Sequence, residues 1–269
     1  MTAIGWLQVL VLFALVLVSV KPLGLFMARI FTGERTFLTP VLAPVENAIF
    51  KVCRINPESE MPWYTYLFAA LAFSAVAFLF LYVLLRTQAW LPLNPQKFPN
   101  MAPDLAFNTA ISFTTNTNWQ FYAGESSLSY LSQMMGLAWH NFTSAGVGIA
   151  LVIALIRGLA STNLKTLGNF WADLTRSCLY VLLPISIVGT LLLVWMGMPQ
   201  NFHPYMDVTS IEGFKQTLTG GAMASQEVIK ELGTNGGGFY NANSAHPFEN
   251  ATAWTNFLEI YLLLCLGFA

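Results

Sequence analysis

The sequence predicts an all-α integral membrane protein built of helix–pore loop–helix repeats, and three observations predict it. Of the 269 residues, 55% are hydrophobic and only 9% are charged, against about 25% charged in an average soluble domain. So few charges cannot coat a water-exposed surface of this size, and lipid must cover much of it. Long uncharged runs recur along the chain, close to the ~20 residues that cross a bilayer. Twice, between such runs, a short helix signal is followed by a polar strip poor in helix formers. The net charge of −1 gives no basic field for nucleic acid. Cys53, Cys178 and Cys265 are odd in number and far apart, which suggests packing thiols rather than a disulfide framework or a zinc site.

The elements follow in order. Ile4–Val20 is an apolar run interrupted by Gly5, Gln8 and Ser19, and it continues as Leu23–Ile30. No basic residue precedes it and no small-residue cleavage site closes it, so it reads as a retained first spanning helix, not a signal peptide. Lys21, Arg29, Arg35, Lys51 and Arg54 then mark a cytoplasmic loop. Trp63–Leu85 is an uncharged spanning run. Leu93-Asn94-Pro95 reads as a turn, and Pro103-Asp104 opens a short helix over Leu105–Phe113. The strip Thr114–Gln120 follows, and then a second uncharged span, Leu128–Ile156. Arg157, Lys165 and Arg176 mark another cytoplasmic segment before the span Cys178–Met198. Ser225 is a candidate N-cap for a short helix over Gln226–Leu232, with Glu227 in its first turn. The strip Gly233–Phe239 comes next. The last run, Ala251–Ala269, is apolar except for Glu259 and stops where the sequence stops, without an aromatic or basic anchor. That predicts a helix cut short and a longer protein. The charge placement puts the N-terminus and both strip-bearing loops outside.

The order long helix, short helix, polar strip, long helix therefore occurs twice. Thr115-Asn116 and Thr234-Asn235 lie 119 residues apart, Phe121-Tyr122 and Phe239-Tyr240 follow them, and Asn141-Phe142 and Asn256-Phe257 recur in the helices beyond. This divides the chain into 1–61, an extra helix and loop; 62–157, a first repeat; and 158–269, a second repeat truncated in its last helix.

Non-helical backbone at membrane depth is tolerated only where it is buried in protein or lines water. Ion coordination is a reason to place it there, because backbone carbonyls can replace the hydration shell of potassium. Glycine permits the required backbone angles, and threonine and asparagine add neutral oxygens. A short helix with its C-terminal end toward the strip adds partial negative charge. The strips hold no carboxylate, whereas divalent-cation sites favour carboxylates. No Gly-Lys-Ser/Thr follows either strip, so a phosphate-binding loop is excluded. A flexible outer loop remains the alternative for the glycine-rich strip, and its pairing with the first strip argues against that.

Asn116-Thr117-Asn118-Trp119-Gln120, the stretch from Gly233 through Phe239 with its continuation Asn241–Asn250, and Leu91–Gln96 resemble the potassium-binding subunit family of the Kdp potassium-transporting ATPase, along essentially the whole chain. The resemblance implies four pore repeats in one chain, of which two are present here, with a pseudo-fourfold filter taking one strip from each. It implies that Asn116, Thr117 and Asn118, and Thr234, Asn235 and Gly236, coordinate potassium, with Thr115 and Gly237 extending the set and Gln120 at the outer mouth. It implies potassium as the transported ion, no organic cofactor, and no hydrolysis by this chain itself. The implied partners are a P-type ATPase catalytic subunit, a small single-helix subunit, a periplasmic-side accessory subunit and the lipid bilayer, in a bacterial-type inner membrane.

Other residues are weighed against that frame. His140 either lines a vestibule or makes a helix-packing hydrogen bond. Gly146 and Gly148 permit close packing or a kink. Glu259 is an acid well inside an apolar run and is a vestibule candidate by default, or a partner for a group beyond Ala269. Asp173 and Arg176 are expected to pair at a membrane entry. His203 and His246 lack partners at metal-ligand spacing. Trp63, Tyr64, Trp171 and Trp254 read as an aromatic belt. A passive channel or symporter of the same architecture is the second reading. A membrane enzyme is the third, and it lacks any Gly-x-Ser-x-Gly, His-Glu-x-x-His or Cys/His cluster.

Overall fold

The computed structural model describes residues 2–160 and 165–269. Among the described residues, four helices are long and apolar enough to cross a membrane: α1 (Ala3–Phe31), α3 (Trp63–Thr87), α5 (Ser132–Ala160) and α6 (Phe170–Trp195). Together with the family described below, they make this a multi-pass helical membrane protein. Between them stand α2 (Thr39–Cys53), the short α4 (Pro103–Thr114) and α7 (Met223–Leu232), and the apolar α8 (Ala253–Phe268).

The two short helices are placed alike. α4 packs between α3 and α5, and α7 packs between α6 and α8. Leu81 and Leu85 of α3, Ala106, Ala110 and Phe113 of α4, and Leu137 of α5 form one core. Leu193 of α6, Ala224, Val228 and Leu232 of α7, and Leu262 of α8 form another. Small residues on the buried face of α4 allow this close approach. By contrast, Leu10, Leu17, Phe68, Leu79 and Leu191 on the long helices point outward and exposed, which a lipid environment satisfies.

Local signals explain the element ends. Pro103 at N1 and Asp104 in the first turn start α4. A capping box of Thr252 and Thr255 starts α8. Both α5 and α6 contain a π-helical segment, Ser132–Ala138 and Ser177–Leu182, a form found mostly at functional or strained places.

Four expectations need correction. The segment between α1 and α3 is not a plain loop: α2 forms there, with Pro40 in its first turn and Phe50 buried. α6 begins at Phe170 rather than Cys178, because Asn169 caps it by accepting from the Trp171 and Ala172 amides. Residues 161–164 of that charged segment lie outside the described residues. Ser225 does not cap α7; Ala222 holds that position, and the Ser225 hydroxyl donates back to the Ala222 carbonyl at 3.2 Å. The outer loop before α7 also carries strands, an exposed antiparallel hairpin of β1 (Met206–Thr209) and β2 (Lys215–Leu218).

Asn169 also donates to the Asn56 and Ser59 carbonyls at 3.1 and 2.9 Å, so one side chain both caps α6 and pins the entry to α3. Asn169→Ala is expected to lower stability by about 1–2 kcal/mol, the cost of losing such a cap, read as reduced unfolding stability of the detergent-solubilised protein.

Asp173 and Arg176 do not pair with each other. Asp173 takes Arg157 at 2.6 Å and Arg176 takes Glu46 at 2.8 Å. The chain spacing put the two together, but each faces a different neighbour: α5 on one side of α6, α2 on the other.

Candidate functional site

Both short helices end in the same way. The Asn116 and Thr117 amides reach back to the Phe113 and Ser112 carbonyls, and the Thr234 and Asn235 amides reach back to the Glu231 and Lys230 carbonyls. These are Schellman-type closures, in which the residue just past the cap adopts a left-handed conformation. Asn116 has φ 63° and Thr234 has φ 56°. Two residues on, the backbone is left-handed again, at Asn118 with φ 54° and Gly236 with φ 82°. The second strip continues so through Gly237 and Gly238.

The matching positions are thus 118 residues apart, as are Phe121-Tyr122 and Phe239-Tyr240. The 119-residue spacing read from the Thr-Asn pairs is corrected by one. Asn116 corresponds to Thr234, Asn118 to Gly236 and Gln120 to Gly238. Chemically identical dipeptides gave the wrong register, because it is backbone conformation rather than side-chain type that is matched.

The strips lie side by side. Asn116, Asn118 and Gln120 present side-chain amides to the Gly233, Gly236 and Gly238 carbonyls, at 3.4, 3.4 and 3.0 Å. The Asn116 carbonyl oxygen accepts from the Ser144 hydroxyl at 2.7 Å and from the Asn235 amide. The Asn118 amide donates to Asn141 at 2.7 Å. Gln133, from the π-helical part of α5, donates to the Phe239 carbonyl and accepts from Gln226, both at 3.2 Å. Every one of these groups is neutral.

Burial divides the set. Asn118, Gln120 and Asn235 are buried, while Thr115, Thr117 and Thr234 are exposed and Asn116 and Gly236 are half-buried. Three buried oxygens on the strips, Asn118 Oδ1, Gln120 Oε1 and Asn235 Oδ1, have no hydrogen-bond partner among the described residues. Orphaned buried acceptors are uncommon and call for a reason, an ion or water among them. Beneath the strips, Asn116, Gly233 and Thr234 roof a cavity of about 710 Å³ that runs past Ala145 and Gly148 toward Arg157.

The remaining candidates are placed as follows. His140 is fully buried, with its ring nitrogens 2.7 Å from the Gly136 carbonyl and 2.9 Å from the Ala77 carbonyl. It ties α5 to α3. Glu259 is buried on α8 with neither carboxylate oxygen partnered among the described residues. His246 stacks flat on Tyr240, centroids 3.6 Å apart, and that burial pushes its pKa below the ordinary histidine value. No group of three potential metal-ligating side chains occurs among the described residues.

Sequence reading missed the second layer. Ser144, Asn141 and Gln133 sit on a span read as uncharged, where Asn141 served only as a repeat marker, and their polar side chains within that span were the available signal. Lys230 was counted as an outer-loop charge. It is wholly buried, with its ammonium 2.8 Å from the Gly237 carbonyl and 3.1 Å from Glu227.

Residues 10–269 match the family described as the potassium-transporting ATPase A subunit. The potassium-transporting ATPase potassium-binding subunits of Methylobacterium nodulans and Rhodopseudomonas palustris are 56% and 55% identical to it over all 269 residues. That of Rhodospirillum centenum is 55% identical over the same length. In each case the match takes in 47% of the relative, so the chain spans about half the length of the curated relatives it matches.

Proposed function

This chain belongs to the potassium-transporting ATPase A subunit family, and from that premise we propose that it carries half of a potassium-selective filter in an ATP-driven uptake system. In this reading, Thr115–Asn118 and Thr234–Gly237 dip back into the bilayer as pore loops and offer oxygens to a dehydrated potassium ion. Gln120 stands at the outer mouth. The relatives' standing as potassium-binding subunits supports this.

The observation that carries the proposal is the alternation of left-handed residues at matched positions, Asn116 and Asn118 against Thr234 and Gly236. In an ordinary extended strand, successive carbonyls point to opposite sides. Turning every second residue left-handed swings successive carbonyls to one side, as carbonyl-lined potassium sites require. The orphaned neutral oxygens of Asn118, Gln120 and Asn235 supply further ligands without a carboxylate. The exposed Thr115, Thr117 and Thr234 edge is the face that two further strips of the full-length protein complete. The cavity below is the vestibule the ion enters next, and the hand-off goes to a P-type ATPase subunit, which performs the hydrolysis. Small single-helix and periplasmic-side accessory subunits complete the assembly in a bacterial inner membrane, with the N-terminus outside.

The test is Asn116→Asp in the full-length subunit within its complex. Asp cannot donate to the Gly233 carbonyl, and it places a carboxylate where the strip is neutral. Discrimination of potassium over sodium, read as the ratio of apparent constants for ion-stimulated ATP hydrolysis, is expected to fall at least tenfold. An unchanged ratio rejects the filter. Ion flux that persists without ATP or an ATPase subunit would favour a passive channel instead.

A further inference from the structure

The 118-residue register exposes a second correspondence, one layer behind the strips. In the first repeat, the Ser112 hydroxyl donates to the Trp119 carbonyl at 2.9 Å. In the second, the Lys230 ammonium donates to the Gly237 carbonyl at 2.8 Å. Ser112 and Lys230 occupy the same position of the two short helices, and Trp119 and Gly237 occupy the same position of the two strips. Each short helix thus anchors, by a donor from its last turn, the carbonyl three residues beyond the left-handed residue that closes it, Asn116 or Thr234. One anchor is a neutral hydroxyl and the other a full positive charge.

We propose that Ser112 and Lys230 are positioning residues for ion specificity, each fixing one strip carbonyl by a hydrogen bond from behind. The proposal rests on the filter reading above. A carbonyl tied to a donor cannot rotate freely, so each anchor fixes the orientation of the peptide at, or just past, the end of its strip's coordinating stretch. Gly237 has φ 72° and no side chain; its amide is held by Asn243 at 3.2 Å, and the charge-assisted bond from Lys230 holds its carbonyl. Trp119 is held by its side chain as well, stacked on Phe121, and a hydroxyl suffices.

The surroundings of Lys230 are built for this charge. Its ammonium lies 3.1 Å from Glu227 and 3.8 Å from Glu231. The Ser244 hydroxyl binds both of those carboxylates. Glu249, also buried, accepts from the Tyr240 amide at 3.2 Å. A lysine serving only to neutralise Glu227 would not need its ammonium on a strip carbonyl. The alignment of that bond with its neutral counterpart in the first repeat separates positioning from mere charge balance.

The test uses the full-length subunit in its assembled complex, with potassium, rubidium and sodium as probes of ion-stimulated ATP hydrolysis. Removing the lysine alone strands Glu227 in the interior, so the decisive variant is Lys230→Met with Glu227→Gln, which removes the pair together. The apparent potassium constant is expected to rise about tenfold and rubidium discrimination to fall, with the effect on the constant rather than on maximal rate. Ser112→Ala, which removes only a hydroxyl, is expected to raise the constant about threefold. Unchanged constants and discrimination in an assembled double variant, or in Ser112→Ala, overturn the proposal. Should the double variant fail to assemble, Ser112→Ala decides. Asn116→Asp separates the two failures: if it changes discrimination while the anchor variants do not, only this inference falls, and if it too changes nothing, the filter itself is wrong.

Discussion

Replacing Asp173 with alanine is expected to destabilise the protein by about 3–5 kcal/mol, the cost of stranding one member of a buried ion pair. Asp173 is 2% exposed and grips Arg157 with both carboxylate oxygens, at 2.6 and 2.9 Å. The Tyr66 hydroxyl adds a bond at 3.0 Å and also reaches the Ala150 carbonyl at 2.8 Å. Arg157 in turn donates to the Leu167 and Phe31 carbonyls at 3.0 and 3.2 Å. One cluster therefore joins α1, α3, α5 and α6 at the end of the molecule opposite the strips. With Asp173 gone, the guanidinium keeps two carbonyls but loses its counter-charge. Asp173→Asn keeps one acceptor and should cost less. Arg157→Met with Asp173→Leu removes both charges and should recover much of the loss, because well-packed apolar groups often replace a buried pair without penalty. Denaturant or thermal unfolding of the detergent-solubilised protein reads all three. A single-variant loss below about 1 kcal/mol would place the pair in solvent-screened surroundings instead.

That cluster shows where sequence reading stops. The long apolar helices were legible because charge cannot be hidden in a lipid-facing run, and α4 was legible because Pro103-Asp104 announces a helix start. Arg157 and Arg176 were read as the charges of a cytoplasmic segment, and Asp173 as the partner of Arg176. Nothing local distinguishes a charge in water from one whose partner sits 16 residues away, as Arg157 does from Asp173. The same blindness applied to Lys230: it fell within the short helix read over Gln226–Leu232, but its burial was not legible. α2 was missed because Lys51 and the basic residues around it were weighed as loop charges and the segment's apolar turns were not. The strips themselves were found by composition, yet their register was off by one residue. Side-chain identity aligned Thr115-Asn116 with Thr234-Asn235, whereas left-handed backbone is invisible in a letter string unless glycine marks it. Only Gly236 did.

Gly236→Ala is expected to raise the apparent potassium constant by at least tenfold in the full-length complex, with little loss of assembly. An added methyl meets nothing within 4 Å, so packing does not resist it. The resistance is conformational. At φ 82° a residue with a Cβ costs roughly 1–2 kcal/mol, and the strip can relieve that only by turning its peptide away. A tenfold change in a binding constant corresponds to about 1.4 kcal/mol, so relaxation of one peptide is enough. Gly213→Ala is the control: it has φ 86° and nothing within 4 Å, in the exposed turn between β1 and β2, so it carries the same conformational cost away from the strips and should leave the constant alone. Thr234 supplies the converse. A β-branched residue at φ 56° is a true outlier, and strain of this kind persists where the surroundings impose it. Thr234→Gly should relieve that strain and hold or raise thermal stability while lowering potassium discrimination. Stability and selectivity would then move in opposite directions at one position. A loop without a coordinating task gives no reason for that: there, Thr234→Gly would raise stability and leave every ion constant where it was.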